Sequence, residues 1–136
     1  MKTLPEFLQG DQFAKHCGIE LVSVAAGQAV ARMAVQPRHV NAIGIVQGGA
    51  IFTLADYAFA AASNSHGTVA VGVNVSITYL KTVVSGVLTA EAREVSLHAK
   101  LASYTVNVTD ADGALVAIFQ GLVYRKDQPI DAAPVA

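Results

Sequence analysis

The stretch from His39 to Gly67, HVNAIGIVQGGAIFTLADYAFAAASNSHG, limits what this chain can fold into more than any other. It reads as a short polar loop leading through Gly48-Gly49 into one almost wholly apolar helix that ends near Ser63. A helix apolar on most sides has to be surrounded by protein or lipid. Ile51, Leu54, Ala55, Ala58 and Ala62 fall on one face, and Phe52 and Phe59 on another. A single carboxylate, Asp56, stands in the middle. A lone acid there is costly unless it is hydrogen-bonded or used. Asp56 is therefore the first candidate for chemistry, and the helix the first candidate for the core.

The apolar run is interrupted by Asp56 and falls short of the roughly 20 residues a membrane span needs. The start of the chain, MKTLPEFLQGDQF, has no long apolar region of the kind a secretory leader carries. A cytoplasmic protein is expected, with no membrane partner. The 136 residues are the size of one domain, and 53% of them are hydrophobic against 14% charged. That excess of apolar groups points to a homo-oligomer that buries further area. A net charge of −1 gives no basic surface for nucleic acid. Cys17, the one cysteine, excludes an internal disulfide and reads as a core or interface thiol. His16, His39, His66 and His98 are not at metal-ligand spacing, so no metal is expected.

Around the central helix the pattern is mostly β. Residues 5–17 look like a short amphipathic helix with Phe7, Leu8, Phe13 and Ala14 apolar, weakened by Gly10. Residues 19–25 and 29–35 form a hairpin around Ala-Gly-Gln. Residues 37–46 are irregular. After Asn64-Ser65-His66-Gly67 ends the helix, residues 69–79 alternate with period two, and further strands are read at 86–97, 101–109 and 114–124. The order predicts an α+β domain over residues 1–126, a curled antiparallel sheet of about six strands around one long helix. Residues 127–136, with two prolines, read as a flexible tail.

The first N–H groups of a helix have no internal partner and carry partial positive charge. Glycine lets a ligand approach them closely, so Gly48 and Gly49 suit an oxyanion forming on an ester or thioester carbonyl. Tight packing of the helix start on a strand is the plainer explanation of the pair. Asp56 shares a less apolar stripe with Gly49, Thr53, Ala60 and Ser63. It is either a general base or nucleophile, or an acid satisfied by backbone or by Thr53. Asp56 lies eight residues after Gly48, about 12 Å along the axis. One carbonyl cannot sit about 3 Å from both groups on a single straight helix. If both act on one carbonyl they come from different chains. Asn41 either positions a water or carbonyl or caps a turn, and Gln47 is placed to hydrogen-bond across the loop. His39 reads as a surface or loop-packing residue. His98 and Lys100 lie in a hairpin tip, where a lysine can meet phosphate as a point charge or simply be solvated.

With these residues in hand, the chain resembles the hotdog-fold acyl-CoA thioesterases, and their phenylacetate-degradation (PaaI-type) branch in particular. The family pattern N-x-x-G-x-x-H-G-G, then F-x-L-A-D-x-A-F-A and Asn-Ser-x-Gly, appears here as Asn41-x-x-Gly44-x-x-Gln47-Gly48-Gly49, Phe52-x-Leu-Ala-Asp56-x-Ala-Phe59-Ala60 and Asn64-Ser65-x-Gly67. The likeness extends over residues 13–126 and includes Tyr104 and the Ala117–Gly121 run. It implies a hotdog fold and thioester hydrolysis. Asp56 would be base or nucleophile, the Gly48 N–H would polarise the carbonyl, and Asn41 would position carbonyl or water. Acyl-CoA would be the substrate, met also by Gly49, Thr53, His98 and Lys100. No separate cofactor is implied, because coenzyme A belongs to the substrate. The family assembles as a dimer of dimers with shared sites. Two departures stand out. Gln47 replaces the usual His, and His98-Ala99-Lys100 replaces the Ser-Arg-Arg with which relatives often hold coenzyme A phosphates. An acyl-thioester dehydratase or hydratase would need a paired His that this helix start lacks. A non-catalytic acyl-CoA binding module is the other alternative, which Asp56 disfavours.

Overall fold

The computed structural model describes residues 2–132. Two short helices, α1 (Leu4–Leu8) and α2 (Gln12–Cys17), precede strands β1 (Ile19–Ala25) and β2 (Gln28–Ala34). A 3-10 turn (Pro37–His39) and loop lead to the central helix α3 (Gly48–Ser63). Strands β3 (Thr68–Tyr79), β4 (Val87–Leu97), β5 (Leu101–Thr109) and β6 (Leu115–Pro129) follow. The six strands form one antiparallel sheet in the order β1-β2-β4-β5-β6-β3. It curls around α3 in the hotdog arrangement. No helix of the described residues is long and apolar enough to cross a membrane.

The sheet can close on the helix because its inner face is small. Ala29, Ala31, Ala90 and Ala92 of β2 and β4 are buried beside α3, together with Met33 and Leu88. The predicted inner face of α3, Ile51, Leu54, Ala55, Ala58 and Ala62, is buried throughout. Phe59 stands on the glycines of the sheet. A Cβ on Gly121 would lie 2.5 Å from the Phe59 ring, so only glycine fits beneath it. The same ring meets Tyr104 and Phe119 with centroids 5.8 and 5.3 Å apart, and Phe52 packs edge-on against Phe119.

Two sequence expectations are corrected. The single helix over 5–17 is divided in two. The Gly10 N–H bonds back to Phe7 in a turn, and Asp11 starts a new helix by accepting from the Ala14 N–H at 3.0 Å. Phe13, expected on an apolar face, is consequently 65% exposed. At the other end, Asp127–Pro129 are strand rather than tail. The long β3 offers partners that far, ending at the Thr68–Pro129 pair, and the buried Ile130 donates to Gly67. Proline is tolerated because it is the last residue of its strand. Residues 133–136 of the expected tail lie outside the described residues.

β3 pairs with β6 on one side and with nothing among the described residues on the other. This free edge is twelve residues long and exposes Val71, Val73 and Tyr79.

Candidate active site

The loop before α3 is held by its own polar residues. His39 is buried, its Nδ1 accepting from the Gln36 N–H at 2.9 Å and its Nε2 donating to the Cys17 carbonyl at 2.8 Å. Both ring nitrogens are thus committed to packing the loop on α2. Asn41 Oδ1 accepts from the N–H groups of Ile43 and Ile45 at 3.1 and 3.2 Å. Its oxygen therefore fixes the turn, and the Nδ2 group has no partner among the described residues.

Gln47 is the N-cap of α3. Its backbone N–H bonds the His39 carbonyl at 2.7 Å, and its side-chain oxygen accepts from the Gly49 N–H at 3.1 Å. The Gly48 N–H has no partner among the described residues. Behind it, Tyr79 donates its hydroxyl to the Gly48 carbonyl at 2.8 Å. A Cβ on Gly48 would come within 3.0 Å of the Tyr79 ring. Close packing on a strand and an unoccupied N–H thus occur together at this glycine.

One turn on, the Thr53 hydroxyl donates to the Gly49 carbonyl at 2.7 Å and not to Asp56. Asp56 faces the open side of the helix rather than its buried side, because sheet and alanines occupy the other faces. No hydrogen bond reaches its carboxylate among the described residues. Even so, loss of water around it, and then the charge of Asp11, hold its pKa above the ordinary value of 3.8. The stripe of Gly49, Thr53, Asp56 and Ala60 is the least buried side of α3, while Ser63 is buried at its end.

The residues at the far end of α3 are structural ties. Asn64 bonds Ala60 and Ala70, and Ser65 accepts from the Gly27 N–H. His66 Nε2 lies 2.7 Å from Glu94 Oε1, which also accepts from the Tyr104 hydroxyl at 2.8 Å. Burial pushes the Glu94 carboxyl up, but these two hydrogen bonds outweigh it and leave its pKa lowered. Lys100 and His98 are exposed on the β4–β5 turn. Lys100 lines a cavity of about 300 Å³ with Thr68, Ala99, Arg125, Lys126 and Asp127. His98 contributes its carbonyl, which accepts from the Arg125 guanidinium at 2.9 Å. The sequence analysis missed Arg125 and Lys126. The signal for them was a basic pair in the register that meets this turn, visible only once β6 is known to run past Tyr124.

A model of the thioesterase superfamily matches residues 43–117, the loop, α3 and most of the sheet. The chain belongs to the thioesterase superfamily. Among relatives in this superfamily, a putative esterase of Archaeoglobus fulgidus is 40% identical over 121 residues, covering 88% of this chain and 79% of that protein. The acyl-coenzyme A thioesterase PaaI of Escherichia coli is 34% identical over 118 residues, covering 86% and 84%. The structure of the E. coli PaaI protein from the phenylacetic acid degradation operon superposes with a TM-score of 0.86 at 32% identity, over 89% of this chain and 88% of that one. The TT0310 protein of Thermus thermophilus superposes with a TM-score of 0.81 at 37% identity, over 85% and 98%. This PaaI-type thioesterase grouping is the one the helix motif resembles.

Proposed function

We propose that the protein hydrolyses acyl-CoA thioesters at a site shared by two copies of the chain. In each site Asp56 of one copy is base or nucleophile, and the Gly48 N–H of the other polarises the thioester carbonyl. One observation carries this reading. Neither group has a partner among the described residues, and they sit about 12 Å apart along one helix, which supports each being half of a site. The name acyl-coenzyme A thioesterase borne by the E. coli relative supports the substrate class. The free edge of β3 supports the assembly, since an antiparallel second copy of the strand would continue the sheet there. Pairing of such dimers, a cytoplasmic location and chemistry without a resident cofactor belong to the same reading.

As base, Asp56 takes a proton from water while the water oxygen bonds to the carbonyl carbon. The negative charge moves to the carbonyl oxygen, where the Gly48 N–H and the start of α3 stabilise it. The carbonyl re-forms as the C–S bond breaks, and the coenzyme A thiolate leaves and takes up a proton. As nucleophile, the carboxylate itself attacks the carbonyl carbon, the C–S bond breaks and the coenzyme A thiolate leaves, and water then cleaves the acyl-enzyme anhydride to free acid and the Asp56 carboxylate. In both routes the free Nδ2 of Asn41 orients carbonyl or water, and Gln47 holds the loop. Lys100, with Arg125 and Lys126, offers cationic contacts to coenzyme A phosphates. The test is free-thiol release from a panel of acyl-CoAs by parent and Asp56→Asn. Loss of about 10²-fold or more in kcat is expected in the variant. Turnover within a few-fold of parent, at equal stability, overturns the role of Asp56.

A further inference from the structure

The first turn of α3 opens on two consecutive glycines, the residues that give up most backbone freedom on folding. Helix ends fray readily, and such a turn needs holding. Three side chains hold it. Gln47 takes the Gly49 N–H and Thr53 the Gly49 carbonyl, and both belong to the helix or its cap. Tyr79 differs in coming from another element. It reaches over from the end of β3 and donates its hydroxyl to the Gly48 carbonyl at 2.8 Å.

The sheet sets the position of Tyr79. Its backbone pairs with the buried Ala117, and the following N–H, that of Leu80, donates to the Val116 carbonyl at 2.8 Å. A little further on, the Val83 carbonyl accepts from the Val46 N–H at 2.8 Å. The chain after β3 thus grips the helix start on both sides of Gln47. The Tyr79 ring stands so close that a Cβ on Gly48 would lie 3.0 Å from it. Partial burial holds the phenol above its ordinary pKa of 10.0, so the hydroxyl stays a donor across the working pH range. With both polar groups of Gly49 and the carbonyl of Gly48 committed, only the Gly48 N–H is left without a partner among the described residues.

We propose that Tyr79 is a positioning residue for the reaction: by holding the Gly48 carbonyl, it sets the direction in which the Gly48 N–H meets the carbonyl oxygen of the substrate. The inference rests on that N–H polarising the thioester, as proposed above. A donor aimed at a developing oxyanion works only within a narrow range of distance and angle. The hydroxyl itself touches no reacting atom. It acts through the backbone on the other side of the Gly48 Cα. Because β3 is also the edge at which a second copy would pair, the same contact keeps the donor in register with Asp56 of the other copy.

The experiment uses Tyr79→Phe, which keeps the ring on Gly48 and removes the hydroxyl. With the acyl-CoA that the parent cleaves best, kcat should fall about fivefold to tenfold, the worth of one hydrogen bond, with KM within about twofold. A second arm needs no turnover. Trifluoroacetonyl-CoA, whose hydrated ketone offers a tetrahedral carbon and an oxyanion-like oxygen, is titrated by calorimetry beside S-propyl-CoA, which has no carbonyl. The parent should bind the ketone more tightly. Tyr79→Phe should lose about fivefold of that preference and bind the thioether as the parent does. A merely structural role would lower the denaturation midpoint and leave the preference alone. A variant that keeps the preference, or an active variant that keeps the parent's kcat, overturns the proposal while leaving the Gly48 donor in place. A loss carried wholly by KM overturns it as well. A parent without preference removes the donor itself, and the proposal falls with it. A preference lost in Tyr79→Phe supports the proposal even if no thioester is cleaved, in which case only the reading of Asp56 fails.

Discussion

Gln47 is the residue where this chain departs from the family pattern it resembles, and its geometry shows what the amide does there. An amide oxygen that accepts from Gly49 caps α3 without any proton to transfer. Gln47→His is therefore expected to keep activity, and Gln47→Ala to lose about 1 kcal/mol of transition-state stabilisation, measured as kcat/KM. A gain of orders of magnitude in Gln47→His would show that the imidazole matters chemically. In the proposed mechanism Asp56 acts ionised, so its raised pKa is expected to place the acid limb of the rate profile above the ordinary carboxylate range. Activity falls as pH drops through that value. Asp11→Asn keeps the capping oxygen but removes the like charge, so the limb should move to lower pH in a profile of kcat/KM against pH. Asp56 itself was legible as a lone acid in an apolar run. That it faces outward was not, because a helix pattern does not say which stripe the sheet will leave open.

At the scale of the element, α3 was legible to its last residue because two independent signals agree. The Gly-Gly start and the Asn-Ser end flank a run with no proline and no internal glycine, and the helix spans Gly48–Ser63 as expected. The N-terminal helices were not, since Gly10 and Asp11 act together, one ending a turn and the other capping the next. β6 was read too short because its last residues have no apolar alternation of their own and are recruited by β3. The seat of Phe59 gives a stability test. Gly121→Ala should cost about 1–3 kcal/mol in chemical denaturation, the usual penalty of overpacking, because the Phe59 ring, packed against Tyr104 and Phe119, would have to move. Wild-type stability in that variant would mean that the ring has room to turn.

For the whole molecule, the proposed shared site makes a sharper demand than any single substitution. Chains carrying Asp56→Ala and chains carrying Gly48→Pro are each expected to be inactive. Proline removes the N–H and suits the backbone of a first helical turn, with the Tyr79 ring shifting to admit its Cβ. After dissociation and mixing, a mixed dimer places both lesions in one site and leaves the other intact, so thiol release should return. Verified exchange without recovery would mean that the two groups do not serve one carbonyl across chains. Val73→Lys, at a position 57% exposed on the β3 edge, should leave the fold recognisable by circular dichroism. It should reduce the oligomer in sedimentation and take activity with it.

The bare edge of β3 also has a consequence for how the molecule comes into being. Residues 68–79 contain no charge and no proline, the devices that usually keep an edge from pairing indiscriminately. With the pairing proposed above, a newly folded single chain is an adhesive object, and its safety depends on how soon it meets a sister. Correct pairing and misassociation draw on the same surface, and both accelerate with concentration. Yield on refolding is then a race between them, decided by the fit of the right encounter rather than by dilution alone.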